Sequence, residues 1–105
     1  MSFDARFAVT GKHKGYNYES ITVTDAPIGF TASILLTSPP PKRALITAET
    51  AQLRYRYDGT DPASDEGHPL NPMDVLVLEG VKNLKNFKAI RTGDTSAVLK
   101  VTFER

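Results

Sequence analysis

The chain predicts an all-β fold, a single antiparallel β-sandwich of about eight short strands, and three observations lead there. Apolar residues recur at every second position through most of its length, the spacing of half-buried strands. Turn signals such as Ala26-Pro27, Asp58-Gly59 and Thr92-Gly93-Asp94 interrupt these runs at short intervals. No stretch carries the long helical period that βαβ units require.

Taken in order, Phe3, Ala5, Phe7 and Val9 alternate with polar neighbours and predict a first strand. Gly11-Lys12-His13-Lys14-Gly15 breaks it as a flexible basic loop. Tyr16, Tyr18, Ile21 and Val23 continue the alternation until Pro27, which cannot donate to a ladder, ends it. Phe30, Ala32, Ile34 and Leu36 predict another strand, with Leu35 the one residue out of phase. Pro39-Pro40-Pro41 reads as a stiff, extended surface crossover between sheets. Ala44 to Ala48 suits a central strand, and Leu53, Tyr55 and Tyr57 alternate with Arg54 and Arg56. The stretch from Asp58 to Asn71 is polar and proline-bearing, hence loop. Val75 to Leu78 is a buried-looking strand, Val81 to Leu84 one helical turn, and Phe87 to Arg91 a strand again. Ala97, Leu99, Val101 and Phe103 give the cleanest alternation of all.

With 105 residues the chain suits one domain, and its 13 Lys plus Arg against 12 Asp plus Glu leave a net charge of +1. That balance argues against nucleic-acid and polybasic membrane binding, both of which need a basic excess. Wholly aliphatic runs such as Ile34-Leu35-Leu36 and Val75 to Leu78 are far short of a bilayer span, and the N-terminus lacks an apolar leader core. Cysteine is absent, which removes disulfide scaffolds, thiolate metal sites and cysteine nucleophiles. Residues 1–18 read as an N-terminal strand or arm with its basic loop, and residues 19–105 as the sandwich, one compact domain together.

No catalytic set is legible. Asp58, Asp61, Asp65 and Glu66 offer hard oxygen ligands, but without the glycine and glutamate spacing of a calcium loop. They read as a solvated acidic loop. His13 sits among lysines, His68 between Gly67 and Pro69, and no Gly-x-Ser-x-Gly elbow accompanies either. Gly11 to Gly15 lacks the Gly-Lys-Ser/Thr ending of a phosphate loop. Asp58-Gly59 supplies the positive φ of a tight turn after a strand. Tyr16, Tyr18, Tyr55 and Tyr57 with Arg54 and Arg56 could form a stacking surface. The alternation gives a different expectation for the second pair: both tyrosines toward the core, and both arginines toward solvent or an acidic neighbour. No cofactor, no metal and no enzymatic activity is expected.

Two resemblances begin at these residues. The string Tyr55-Arg56-Tyr57-Asp58-Gly59-Thr60-Asp61-Pro62 resembles, with one shift in spacing, the turn of the chitobiase C-terminal, fibronectin-like sandwich family. More broadly, Ala44 to Arg105 is similar to small virion proteins of tailed bacteriophages. The likeness rests on Arg54 to Pro62, Gly67-His68-Pro69-Leu70-Asn71-Pro72-Met73-Asp74, Phe87 to Gly93, and Ser96 to Thr102. The chain departs from that pattern at Met73, where glycine commonly follows the proline.

The second resemblance implies a non-enzymatic structural protein of a phage particle, capsid decoration or cement, or a small neck or tail component. Its partners would be the major capsid protein or other virion proteins, with a homo-oligomer possible and neither nucleic acid nor membrane involved. Its location would be the virion, assembled in the bacterial host cytoplasm. The expected contact residues are Lys12, His13, Lys14, Tyr16 and Tyr18 on the arm, Pro39, Pro40 and Pro41 on the crossover, and Arg54 and Arg56. The alternative is a carbohydrate-binding or host-attachment sandwich module, suggested by the tyrosines and the chitobiase-like turn.

Overall fold

A computed structural model describes residues 11–105. The expected strand over Phe3 to Val9 lies outside the described residues. Seven strands and two short helices make up the rest: β1 (Gly15–Val23), α1 (Ala32–Leu35), β2 (Arg43–Glu49), β3 (Leu53–Arg56), β4 (His68–Leu70), β5 (Val75–Glu79), α2 (Val81–Asn86), β6 (Lys88–Arg91) and β7 (Ala97–Glu104). They form two antiparallel sheets, one ordered β1-β7-β2-β5 and the other β4-β3-β6. The all-β sandwich read from alternation is the fold.

The period-two pattern translates directly into burial. On β7, Ala97, Leu99, Val101 and Phe103 are fully buried, and their partners Ala44, Ile46, Ala48, Ile21 and Val23 fill the same layer. Burying each larger side chain of this set contributes roughly 1.5–3 kcal/mol. Phe30 links the sheets. Its ring lies parallel on Phe87 at 4.6 Å and edge-on to Phe103 of β7 at 5.2 Å. Gly29 permits this approach, because a Cβ there would stand 2.7 Å from the Phe87 carbonyl oxygen.

Three expectations are corrected. Phe30 to Leu36 is no strand: Ala32–Leu35 is one helical turn, in which the Thr31 carbonyl accepts from the Ile34 and Leu35 amides. Leu35, the residue that breaks the alternation, belongs to that turn, which sets Ile34 and Leu35 together against the core. Glu19 of β1 fixes the start of the turn by accepting from the Thr31 amide at 3.0 Å and from its hydroxyl. The proline crossover is not wholly at the surface, since Pro41 is fully buried while Pro39 is exposed. The segment between β1 and β2 touches the second sheet through the Ile28–Ala89 bridge, and the prolines carry it back to the first. Finally, the loop after Asp58 contains β4, three residues paired with β3. A three-residue strand bearing a proline is below what alternation can register.

The division at residue 18 falls inside β1, which runs unbroken from Gly15 and pairs with β7 along its length, with one irregularity between Gly15 and Asn17. Tyr16 and Tyr18 are therefore part of the first sheet rather than of an arm.

Candidate functional site

The residues singled out from sequence gather at two places. The first is the end of the four-stranded sheet where β1 begins and β7 finishes. Lys14 and Arg105 exchange both backbone hydrogen bonds, at 3.1 and 3.0 Å, and the Lys42 amide donates to the Glu104 carbonyl at 2.9 Å. Three cationic residues thus stand on neighbouring strands. The Arg105 guanidinium carbon sits 3.9 Å from the centre of the Tyr16 ring, and its Nη1 donates to the Pro39 carbonyl at 3.0 Å. The Tyr16 hydroxyl shares a 2.9 Å hydrogen bond with the Thr37 hydroxyl. One cation over a ring, anchored at both ends, turns three distant segments into a single fixed surface. Lys12, Lys14 and Pro39 are exposed on it, His13 and Pro40 are half-buried, and Tyr18 presents 57% of its surface to water on the same strand as Tyr16. Pro41 is buried and takes no part. Sequence reasoning missed Arg105. A lone arginine after a well-patterned strand carries no local signal, because its meaning comes from segments far away along the chain.

The second place is the rim of the three-stranded sheet, and here Arg54 and Arg56 go separate ways. Arg54 is half-buried, and its Nη1 donates to the Gly67 carbonyl at 2.7 Å, so it braces the acidic loop rather than reaching solvent. Arg56 holds Asp58 with two hydrogen bonds, Nε to Oδ1 at 3.1 Å and Nη2 to Oδ2 at 2.5 Å. That bond chiefly, helped by the Thr60 amide, holds the Asp58 carboxyl at about 2, well below the usual range. Gly59 follows with φ +90°, the tight turn that Asp-Gly promised.

Tyr55 and Tyr57 do share a face, but only one of them is core. Tyr55 packs on Phe87 with ring centres 5.8 Å apart, and burial, then the neighbouring Tyr57, raise its pKa above the usual tyrosine value. Tyr57 stacks outside it at 6.4 Å and 19° and remains 39% exposed. His68 closes the group, 5.4 Å from the Tyr55 ring and 6.4 Å from Tyr57. Beside these rings lies a cleft of about 440 Å³ lined by Arg56, Tyr57, Asp58, Glu66, Gly67 and His68. Gly67, at φ +135°, lets the loop pass over β3, where a Cβ would meet the Tyr55 carbonyl oxygen at 3.0 Å.

The four tyrosines do not form one surface, since the two pairs occupy different sheets. Among the described residues, no three His, Asp or Glu side chains gather as a metal-holding group. No helix of the described residues is long and apolar enough to cross a membrane. Comparison of the chain with protein-family models, curated proteins and solved structures finds no match.

Proposed function

We propose that this chain is a non-enzymatic structural protein of a bacteriophage particle, of the capsid decoration or cement kind, that binds the major capsid protein lattice. The observation that carries the reading is the fixed surface around Arg105, which joins three separate segments: its own, the start of β1 with Lys14 and Tyr16, and the stretch that holds Pro39. Tyrosine and arginine are the residues that dominate the energetics of protein contacts, and a surface already ordered loses little entropy on docking. Lys14 and Lys42, whose backbones pair with Arg105 and Glu104 beside it, give the surface a positive character that suits an acidic neighbour. The likeness of Ala44 to Arg105 to small virion proteins points the same way. Copies repeated by particle symmetry hold by avidity, so each contact needs only modest strength.

The test is co-sedimentation of the purified chain with shells assembled from the major capsid protein of the same genome. The chain is expected to pellet with shells at about 0.1 M salt and to release as salt rises, because rim charges are screened. Lys14→Ala combined with Arg105→Ala should lower the bound fraction about tenfold, equivalent to about 1.4 kcal/mol. A chain that stays in the supernatant with shells, and equally with purified tails, refutes the reading.

A further inference from the structure

The rim of the three-stranded sheet has features that a protein-docking role does not use. Tyr57 offers one ring face to water, and behind it runs an unbroken series of rings, Tyr55, Phe87, Phe30 and Phe103, that ends in the core. An exposed aromatic ring supported in this way cannot fold back, so it is pre-set for stacking. His68, on the neighbouring strand, stands beside it with ring centres 6.4 Å apart and lines the same cleft.

The polar groups around the ring are mixed in kind. Arg56 pairs with Asp58 through Nε and Nη2, and Glu66 is close enough to act on the same guanidinium. The carboxylate oxygens keep lone pairs for further donors, and the remaining guanidinium N–H groups can still be given to acceptors. Because Arg56 is paired with Asp58 and Glu66 acts on it as well, the rim is not a strongly charged trap. A cationic ligand would compete with Arg56 for Asp58, and an anion would meet Asp58 and Glu66. A neutral ligand rich in hydroxyl groups, each both donor and acceptor, matches the array without displacing anything. The cleft volume of about 440 Å³ falls in the range of small-molecule sites and fits one or two sugar rings.

We infer that the cleft lined by Tyr57 and His68 is a saccharide-binding site, in which a neutral pyranose stacks on the Tyr57 ring and hydrogen-bonds to Asp58, Glu66 and Arg56. The aliphatic C–H face of such a ring suits the negative face of the phenol, while its hydroxyls lie at the rim. The site belongs to the isolated chain and does not depend on the particle role proposed above.

The test uses the full chain on a glycan array, followed by ¹⁵N-amide titration with the array's best neutral ligands and with maltose, cellobiose, lactose and N,N′-diacetylchitobiose. At least one is expected to shift the amides of Tyr57, Glu66, Gly67 and His68 with a Kd in the millimolar range or tighter. Tyr57→Ala should weaken it at least tenfold, while Tyr18→Ala, an exposed tyrosine on the other sheet, should leave it unchanged. Thermal melts of both variants check that the fold is intact. An array without hits together with no amide shifts at about 20 mM of any probe overturns the site, as does binding indifferent to Tyr57→Ala. Shifts of the same amides by N-acetyl-lysine methylamide, with none from the sugars, overturn it in favour of a cation cage.

Discussion

The Arg43 Nη1 group donates to Glu104 Oε1 across 2.8 Å, and both side chains are almost withdrawn from water, at 3% and 4% exposure. The two residues are direct cross-strand partners on β2 and β7, and Glu79 of β5 lies on the other side of Arg43, its Oε2 3.4 Å from Nε. A carboxylate, a guanidinium and a second carboxylate thus form one row across three strands.

Removing one end of the closer pair should cost far more than an exposed ion pair is worth. Glu104→Ala is expected to lower the unfolding free energy by about 3–5 kcal/mol, since Glu79, 64% exposed, compensates weakly for the lost carboxylate. The double change Arg43→Met with Glu104→Leu should recover most of that loss, because neither charge is then buried. Urea unfolding curves with unchanged m-values measure both.

Met73 holds φ +79°, a left-handed backbone conformation that favours glycine. Its side chain is 79% exposed, so it contributes little packing, while its amide donates to the Ala48 carbonyl at 2.8 Å. Met73→Gly relieves the steric cost, keeps that hydrogen bond and loses something in unfolded-chain entropy. The expected net gain is about 0.5–1 kcal/mol, read as a rise of a few degrees in melting temperature. Met73→Val should act in the opposite direction.

These two cases mark what the sequence discloses and what it conceals. Alternation located β1, β3 and β7, where every second residue records the core face, while short apolar runs located β2 and β5 and the Phe87 to Arg91 stretch located β6. At Met73 the sequence marked only a turn that could differ, and the left-handed backbone there came from the structure. Arg43 gave no signal, since a charge at a strand end reads as solvent-facing until its cross-strand partner is known. The same reason hid Arg105. The helical turn at Ala32–Leu35 was written in one out-of-phase residue, too little to outweigh four in phase. At the rim, the shared face of Tyr55 and Tyr57 was legible, but the depth of each was not, since depth depends on where Phe87 comes to lie.

The Asp58 carboxyl titrates at about 2 when folded, against an ordinary value of 3.8, because Arg56 hydrogen-bonds its charged form. A depressed folded value means the stabilisation is complete above pH 4 and disappears as pH falls from about 4 to about 2. Carboxyl-detected NMR should place the Asp58 midpoint near 2, and Arg56→Gln should return it toward 3.8. An Asp58 midpoint unmoved by Arg56→Gln would show that the turn amides alone hold the carboxylate.

The central place of β7 has a consequence for the order in which the chain can assemble. This strand carries the only pairing that β1 has, and it separates β1 from β2 in the sheet among the described residues. On a ribosome, β1 therefore waits for β7 while some seventy residues of later chain are made. Only when Ala97 to Glu104 clears the exit tunnel can it slot between the two halves, like a key bar drawn last through a hinge. Until then β2 and β5 have each other, and β1 lacks the one partner strand it has among the described residues. The pairing of β1 with β7 thus forms only after β7 is made, at a rate set by a long-range search and not by local turns.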